Sequence, residues 1–220
     1  MADVKAVIFD LYGTLIYLAE ETKPHERLFA DIGLQTPDEV KQARRIALTE
    51  NFNTLADFVK RINKIKRDAG TKIKSDIEID IAQYEQELEA EKASASLYSE
   101  TKSVLGDLRK RNIQVGLISN LASPYKEPFF KLGLAEYFDG VIFSCDAGFK
   151  KPDKRIYQKI IGMFNLNPAQ ALMTGDKVYA DVDGPKSIGM NAVYLDRKNP
   201  SSSNPSSGSI FTLEGVFGYL

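Results

Sequence analysis

The chain has 220 residues, of which 43% are hydrophobic and 27% charged, with 29 basic against 30 acidic residues for a formal charge of −1. That length suits one α/β domain plus a smaller accessory domain, and the composition gives no support to disordered, collagen-like or membrane-embedded classes. A balanced charge favours neither nucleic acid, which calls for a basic patch, nor an anionic membrane surface.

Along the chain, the opening run MADVKAVIFDLYGTLI is too short an apolar stretch, broken by Asp10, for a signal peptide or a membrane span. Ala6-Val7-Ile8-Phe9 reads as a buried strand ending at Asp10. Residues 17 to 92 then depart from any strand pattern. They are rich in Glu, Lys, Ala, Ile and Leu, with helical spacing at Ile62, Ile65 and Ala69 and again at Ile77, Ile81 and Tyr84, which predicts three or four helices. An insert placed just after the first strand is positioned to act as a lid. Beyond it, a helix is expected over Thr101 to Arg111 and a strand over Gln114 to Ile118, ending at Ser119-Asn120. Val141-Ile142-Phe143 reads as the next strand, followed by a helix from Asp153 to Phe164. Ala171 to Thr174 ends at Gly175-Asp176, and Ala192 to Leu195 ends at Asp196. Asn199 to Ser209 is rich in Ser, Pro and Asn and reads as a loop. The last eleven residues are expected to return to the sheet edge.

Short apolar runs without strict alternation suit strands buried on both faces, and their alternation with helices predicts a Rossmann-like parallel sheet. The expected organisation is an α/β core of residues 1–16 and 93–220 with a helical cap of residues 17–92. In such sheets ligands bind beyond the carboxyl ends of the strands. Asp10, Ser119 and Asp176 should therefore meet in one crevice, although far apart in sequence. A carboxylate at a strand tip can act as a nucleophile, and the turn Leu11-Tyr12-Gly13-Thr14 after it can present amides to an anion.

Four ordered motifs resemble the haloacid dehalogenase-like superfamily. They are Asp10-x-Tyr12-Gly13-Thr14, the strand-end Ser119-Asn120, Lys151-Pro152-Asp153, and Gly175-Asp176 followed by Asp181. The resemblance implies a hydrolase in which Asp10 is the nucleophile and Lys151 neutralises it and the anion. Thr14, Ser119 and Asn120 would bind substrate together with Tyr12. Asp10, Asp176, Asp181 and the backbone carbonyl of Tyr12 would hold Mg2+, a hard cation that prefers oxygen ligands.

The motifs are a hybrid. In the family's phosphatases the residue at position 12 is an aspartate that protonates the leaving alcohol, help worth ~10²–10⁴-fold. Its 2-haloacid dehalogenases carry tyrosine there and share Lys-Pro-Asp-x-x-x-Tyr, here Lys151 to Tyr157. They lack the motif-four metal ligand, which this chain keeps as Asp176. Three readings follow. The favoured one is a Mg2+-dependent phosphatase of a small phosphorylated metabolite. The others are a metal-free carbon–halogen hydrolase and a weakly active member that binds a ligand or protein. The dehalogenases also use a cap arginine, and both Arg44 and Arg45 lie in the insert.

Lesser signals carry structural readings. The only histidine, His25, has no partners for a zinc site or triad. The only cysteine, Cys145, excludes an internal disulfide, points to a cytoplasmic protein and reads as a packed small residue. The basic run Arg61 to Lys74 reads as a solvated face. Gly13 and Gly148 are expected to adopt backbone conformations reserved for glycine.

Overall fold

The computed structural model describes residues 3–68, 80–198 and 208–220. The chain opens with β1 (Ala6–Phe9) and a short β2 (Ile16–Leu18), then enters four helices. These are α1 (Pro24–Asp31), α2 (Pro37–Thr49), α3 (Leu55–Asp68) and α4 (Ile81–Ala93). It returns through β3 (Ala95–Leu97), α5 (Thr101–Lys110), β4 (Gln114–Ser119), α6 (Glu127–Lys131), β5 (Gly140–Phe143) and α7 (Ser144–Ala147). The last part comprises α8 (Lys154–Phe164), β6 (Ala171–Gly175), α9 (Gly184–Lys186), β7 (Asn191–Leu195) and β8 (Ser209–Ile210), followed by a 3-10 turn over Leu213–Tyr219. Ala69, Ile77, the end of the basic run at Lys74 and most of the expected loop from Asn199 lie outside the described residues.

Six strands form one parallel sheet in the order β5-β4-β1-β6-β7-β8. Its strands alternate between two apolar layers, as the period of two requires. Val7, Phe9, Val115, Leu117, Leu172 and Val193 face a layer with α5 and the C-terminal turn. Ala6, Ile8, Ile118 and Met173 face a layer built on Ile156, Ile160 and Phe164 of α8. Burial on both faces is why these strands read as continuous apolar runs. The C-terminal residues do reach the sheet edge, where β8 pairs with β7.

Local signals set the helix ends. Thr36 and Glu39 form a reciprocal capping box at the start of α2, next to Pro37. Asp80 caps α4 and Asp153 caps α8, each accepting a backbone N–H. Helices α1 to α4 pack around a separate apolar cluster that includes Leu28, Phe29, Ile46, Phe58, Ile62 and Tyr84. Two antiparallel strands, β2 and β3, join this helical unit to the sheet, pairing Ile16 with Leu97 and Leu18 with Ala95. No described helix is long and apolar enough to cross a membrane.

One expectation is overturned on α3. Lys66 is only 5% exposed rather than solvated, and its Nζ donates to the carbonyls of Ile32 (3.0 Å) and Gly33 (2.8 Å) at the end of α1. The ammonium substitutes for solvent at the helix C-terminus, where a cation is favoured by the aligned carbonyl dipoles. Arg61, on the same run, does face outward and pairs with Glu50.

Candidate active site

The sheet order itself builds the site. Because β1 lies between β4 and β6, in a register pairing Phe9 with Leu117 and with Thr174, the strand tips deliver Asp10, Ser119 and Asp176 side by side. The Asp10 amide continues the ladder by donating to the Thr174 carbonyl at 3.0 Å. The turn that follows is tight. Gly13 has φ +77°, its amide donates to Ile16 O at 2.8 Å, and a Cβ there would stand 2.7 Å from Asp176 Oδ2. Gly175 is equally constrained, since a Cβ there would collide with the Asp181 carboxylate. Both glycines keep open a space lined by carboxylate oxygens. Gly148 also takes positive φ, at +80°, closing α7.

Lys151 is 2% exposed, and its Nζ bridges Asp10 Oδ1 at 2.8 Å and Asp181 Oδ1 at 2.6 Å. Burial alone would push the ammonium down, but the charges and hydrogen bonds of the two aspartates outweigh it and hold its pKa above the ordinary value. Asn120 fixes the backbone of this lysine from both sides. Its Oδ1 accepts from Lys151 N at 2.8 Å and its Nδ2 donates to Lys151 O at 2.9 Å. The amide expected to bind substrate is thus bonded to the protein and positions Lys151.

Asp181 lies on the wide helical turn Val178–Asp183, a π-type turn that places it under β6. Its Oδ2 accepts from the Lys177 amide at 3.0 Å, and Tyr157 braces the turn by donating its hydroxyl to Ala180 O at 2.5 Å. Asp181 is fully buried, and that burial, tempered by Lys151 and reinforced by the Asp10 charge, pushes its pKa up to about 6. One oxygen from each of Asp10, Asp176 and Asp181 lies within 4.8 Å of the others. Asp176 Oδ2 accepts from Lys177 Nζ at 2.6 Å, whereas its Oδ1 is buried without a partner.

The other expected residues are placed as follows. Ser119 is buried at the tip of β4, and Thr14 is fully buried with its Oγ1 unpartnered. Tyr12 donates its hydroxyl to Tyr125 O at 2.9 Å, and its ring meets that of Tyr125 edge-on at 5.9 Å. Burial, with the charges of Glu91 and Glu127, holds the Tyr12 phenol above its ordinary pKa. A cleft of about 470 Å³ opens between Tyr12, Asn120 and Tyr125 on the sheet side and Phe29, Arg44 and Glu91 on the helices. Of the two candidate cap arginines, Arg44 lines this cleft and pairs with Glu26 at 3.6 Å.

Two residues escaped the sequence reading. Arg197, just past β7, donates Nη2 to Thr14 O at 2.7 Å, pairs with Glu100 at 2.7 Å and lies over the Tyr98 ring. It clamps the turn that follows Asp10. Glu91, on α4, is 2% exposed and accepts a hydrogen bond from the Tyr125 hydroxyl at 2.6 Å. A polar residue directly after a strand-end acid was the available signal for Arg197. For Glu91 there was none, because it stands among four other acidic residues from Asp80 to Lys92.

A model of the haloacid dehalogenase-like hydrolase family matches residues 4–189. The chain is 36% identical over 90 residues to the glyceraldehyde 3-phosphate phosphatase of Pyrococcus furiosus, covering 40% of this chain and 37% of that one. It spans less than half the length of the curated relatives it matches. A HAD phosphatase from Thermococcus onnurineus superposes with a TM-score of 0.63 at 25% identity, over 98% of this chain and 97% of that one. A 2-haloacid dehalogenase from Pseudomonas syringae pv. Tomato superposes at 0.65 with 20% identity, over 99% and 100% of the two chains, a likeness of fold alone.

Proposed function

Since the chain belongs to the haloacid dehalogenase-like hydrolases, we propose that it is a Mg2+-dependent phosphohydrolase of a small phosphorylated metabolite, working through a covalent intermediate on Asp10. The observation that carries this reading is the charge arrangement at the strand tips. Three carboxylates converge within 4.8 Å, and among the described residues they are faced by one buried ammonium, Lys151, and by the exposed ammonium of Lys177 on Asp176. Such a cluster repels itself and would repel a phosphate still more, unless a divalent cation is added.

The residues fit that ion. Asp176 Oδ1 is a buried oxygen with no partner, and Gly13 keeps the space beside Asp176 clear of any side chain. Asp10, Asp176 and the carbonyl of Tyr12 would hold Mg2+, whose oxygen preference matches this set. Asp181 spends both oxygens on Lys151 and the Lys177 amide, so its part is to orient Lys151 and complete the negative shell. When bound, Mg2+ would offset the repulsion between Asp10 and an incoming phosphate.

The chain's own groups supply the rest. Asp10 attacks phosphorus, the bond to the ester oxygen breaks, and an aspartyl phosphate forms; water then releases phosphate and restores Asp10. Lys151, held by Asn120 and Asp181, neutralises the anionic oxygens as charge develops. Ser119 at the neighbouring strand tip and the turn amides after Asp10 bind the transferring group. Helices α1 to α4 act as a cap, and the cleft beneath them receives the leaving group. The relative named as a glyceraldehyde 3-phosphate phosphatase supports a small phosphate ester as substrate.

Tyr12 is the specific observation favouring a second reading, carbon–halogen hydrolysis, because a halide leaves without a proton. The test is phosphate release from 4-nitrophenyl phosphate with Mg2+ and with EDTA, beside Asp10→Asn. Metal-dependent release lost in the variant is expected. Halide release from 2-halo acids in EDTA, with no phosphate release under any condition, would replace this reading with the second.

A further inference from the structure

The turn that follows Asp10 is held partly by itself and partly by distant residues. Inside it, the amides of Thr14, Leu15 and Ile16 all donate to the Leu11 carbonyl, at 3.3, 2.8 and 3.1 Å, and the Gly13 amide donates to Ile16 O. These bonds close the loop but leave the carbonyls of Thr14 and Leu15 to partners elsewhere in the chain. Leu15 O accepts from the Tyr98 amide at 3.1 Å and from the Thr101 hydroxyl at 2.9 Å. Thr14 O accepts from a charged donor, Arg197 Nη2, at 2.7 Å.

An arginine is a demanding way to hold one carbonyl. The Arg197 side chain is 15% exposed, and its Nε is buried with no partner. A neutral donor could bond Thr14 O without that desolvation. What the guanidinium adds is a planar fork fixed on three sides. Nη1 pairs with Glu100 at 2.7 Å, Nη2 holds Thr14 O, and the flat face lies 3.6 Å from the centre of the Tyr98 ring. Arg197 stands two residues beyond β7, and β6 separates β7 from β1 in the sheet. The ladder does not join these two strand ends, whereas the bond from Arg197 to Thr14 does. Thr14 is fully buried, so water cannot replace the guanidinium without entering the protein.

Resting on the phosphohydrolase reading, we infer that Arg197 is a positioning residue for the reaction. By fixing the Thr14 carbonyl it holds the turn whose amides receive the phosphoryl group. The same turn carries Gly13, which keeps the space beside Asp176 clear. Arg197 acts through that turn: it keeps the peptide units from reorienting while charge builds on the phosphoryl oxygens, so their dipoles are set before the reaction begins.

The experiment compares the parent with Arg197→Met and Arg197→Lys on 4-nitrophenyl phosphate at saturating Mg2+, with orthovanadate as a five-coordinate mimic of the transition state. Values are taken per folded molecule, from melting curves in the same buffer. A displacement of about 1 Å in a positioned group costs roughly 10²-fold, so kcat of Arg197→Met should fall about 10- to 100-fold. KM should change less than about threefold, and vanadate affinity should fall by the same factor as kcat/KM, because the loss is confined to the transition state. Arg197→Lys keeps the charge but cannot bond Glu100 and Thr14 O with one planar fork, so it should show the same proportional losses at smaller size. If only the lysine variant folds, the test rests on it. A purely structural arginine gives a different pattern: the melting temperature drops, while kcat/KM and the vanadate inhibition constant remain those of the parent. That pattern would overturn the assignment. If the parent releases phosphate from no aryl ester, the phosphohydrolase reading falls first and this assignment with it.

Discussion

Gly13→Ala should separate the metal site from the rest of the fold. The residue sits at φ +77°, where alanine costs roughly 1–2 kcal/mol. The added methyl would start 2.7 Å from Asp176 Oδ2 and 2.8 Å from its Cγ. An ordinary contact of about 3.5 Å requires the carboxylate to retreat by about 0.8 Å. It can do so, because Asp176 is half-buried and its Oδ2 is bound only to the flexible Lys177 ammonium. Mg2+ tolerates no such retreat, since it demands near-ideal geometry at about 2.0–2.1 Å. The assay is thermal unfolding with EDTA and with saturating Mg2+. In EDTA the variant should melt about 2–8 °C lower, from roughly 2–4 °C per kcal/mol at this chain length. The parent should gain about 2.7 kcal/mol from Mg2+ at a hundredfold excess over Kd, and the variant should lose most of that gain. A parent-like Mg2+ shift in Gly13→Ala would refute the placement of the ion between Asp10 and Asp176.

Lys151→Met should abolish hydrolysis and cost about 3–5 kcal/mol, because Asp10 and Asp181 would remain buried without their shared cation; a parent-like urea midpoint would show that the bridge contributes nothing. The pH dependence follows from Asp181, whose carboxyl is pushed up to about 6 from its ordinary 3.8. A raised carboxylate pKa means stability present below about pH 4 and lost as pH rises through 6. In EDTA, the stability difference between the parent and Asp181→Asn should therefore shift against the parent across that window, and a flat difference would contradict it. Lys66→Ala should destabilise by roughly 1–3 kcal/mol, since the carbonyls of Ile32 and Gly33 lose their donor inside the helical unit; a change within experimental scatter would mean that water replaces the ammonium without loss.

What the sequence disclosed, and what it hid, follows from how far each signal reaches along the chain. The five longer strands were legible because burial on both faces leaves an apolar run with a polar residue at its tip. Parallel topology then forces those tips to one end, so the sequence alone brings Asp10, Ser119 and Asp176 together. The β2–β3 ribbon was not legible. Its three-residue strands carry no period, and their pairing joins Ile16 to Leu97 across the whole helical insert. Lys66 misled because a run of basic residues advertises solvent, although its spacing of four from Ile62 sets it on the apolar face of α3. For Asn120 the sequence shows the location but not this partner: a strand-end amide can face a ligand or a backbone, and only the fold shows that it grips Lys151.

The pairing of Tyr12 with Asp176 makes sense once leaving-group protonation and charge balance are treated as separate demands. Charge balance belongs to the strand tips. With Asp176 present, buried Lys151 and exposed Lys177 do not compensate three carboxylates and a phosphate, so the site calls for a divalent ion; replacing Asp176 with a neutral side chain would relax that need and suit a singly charged substrate. Leaving-group protonation belongs to whatever lines the cleft, and that wall includes the helices as well as the turn after Asp10. A tyrosine at position 12 removes the acid from the turn without touching the metal ligands. On this reasoning Asp176→Asn should abolish Mg2+ binding and phosphate release together while leaving the Tyr12–Tyr125 contacts intact, because Asp176 touches neither ring.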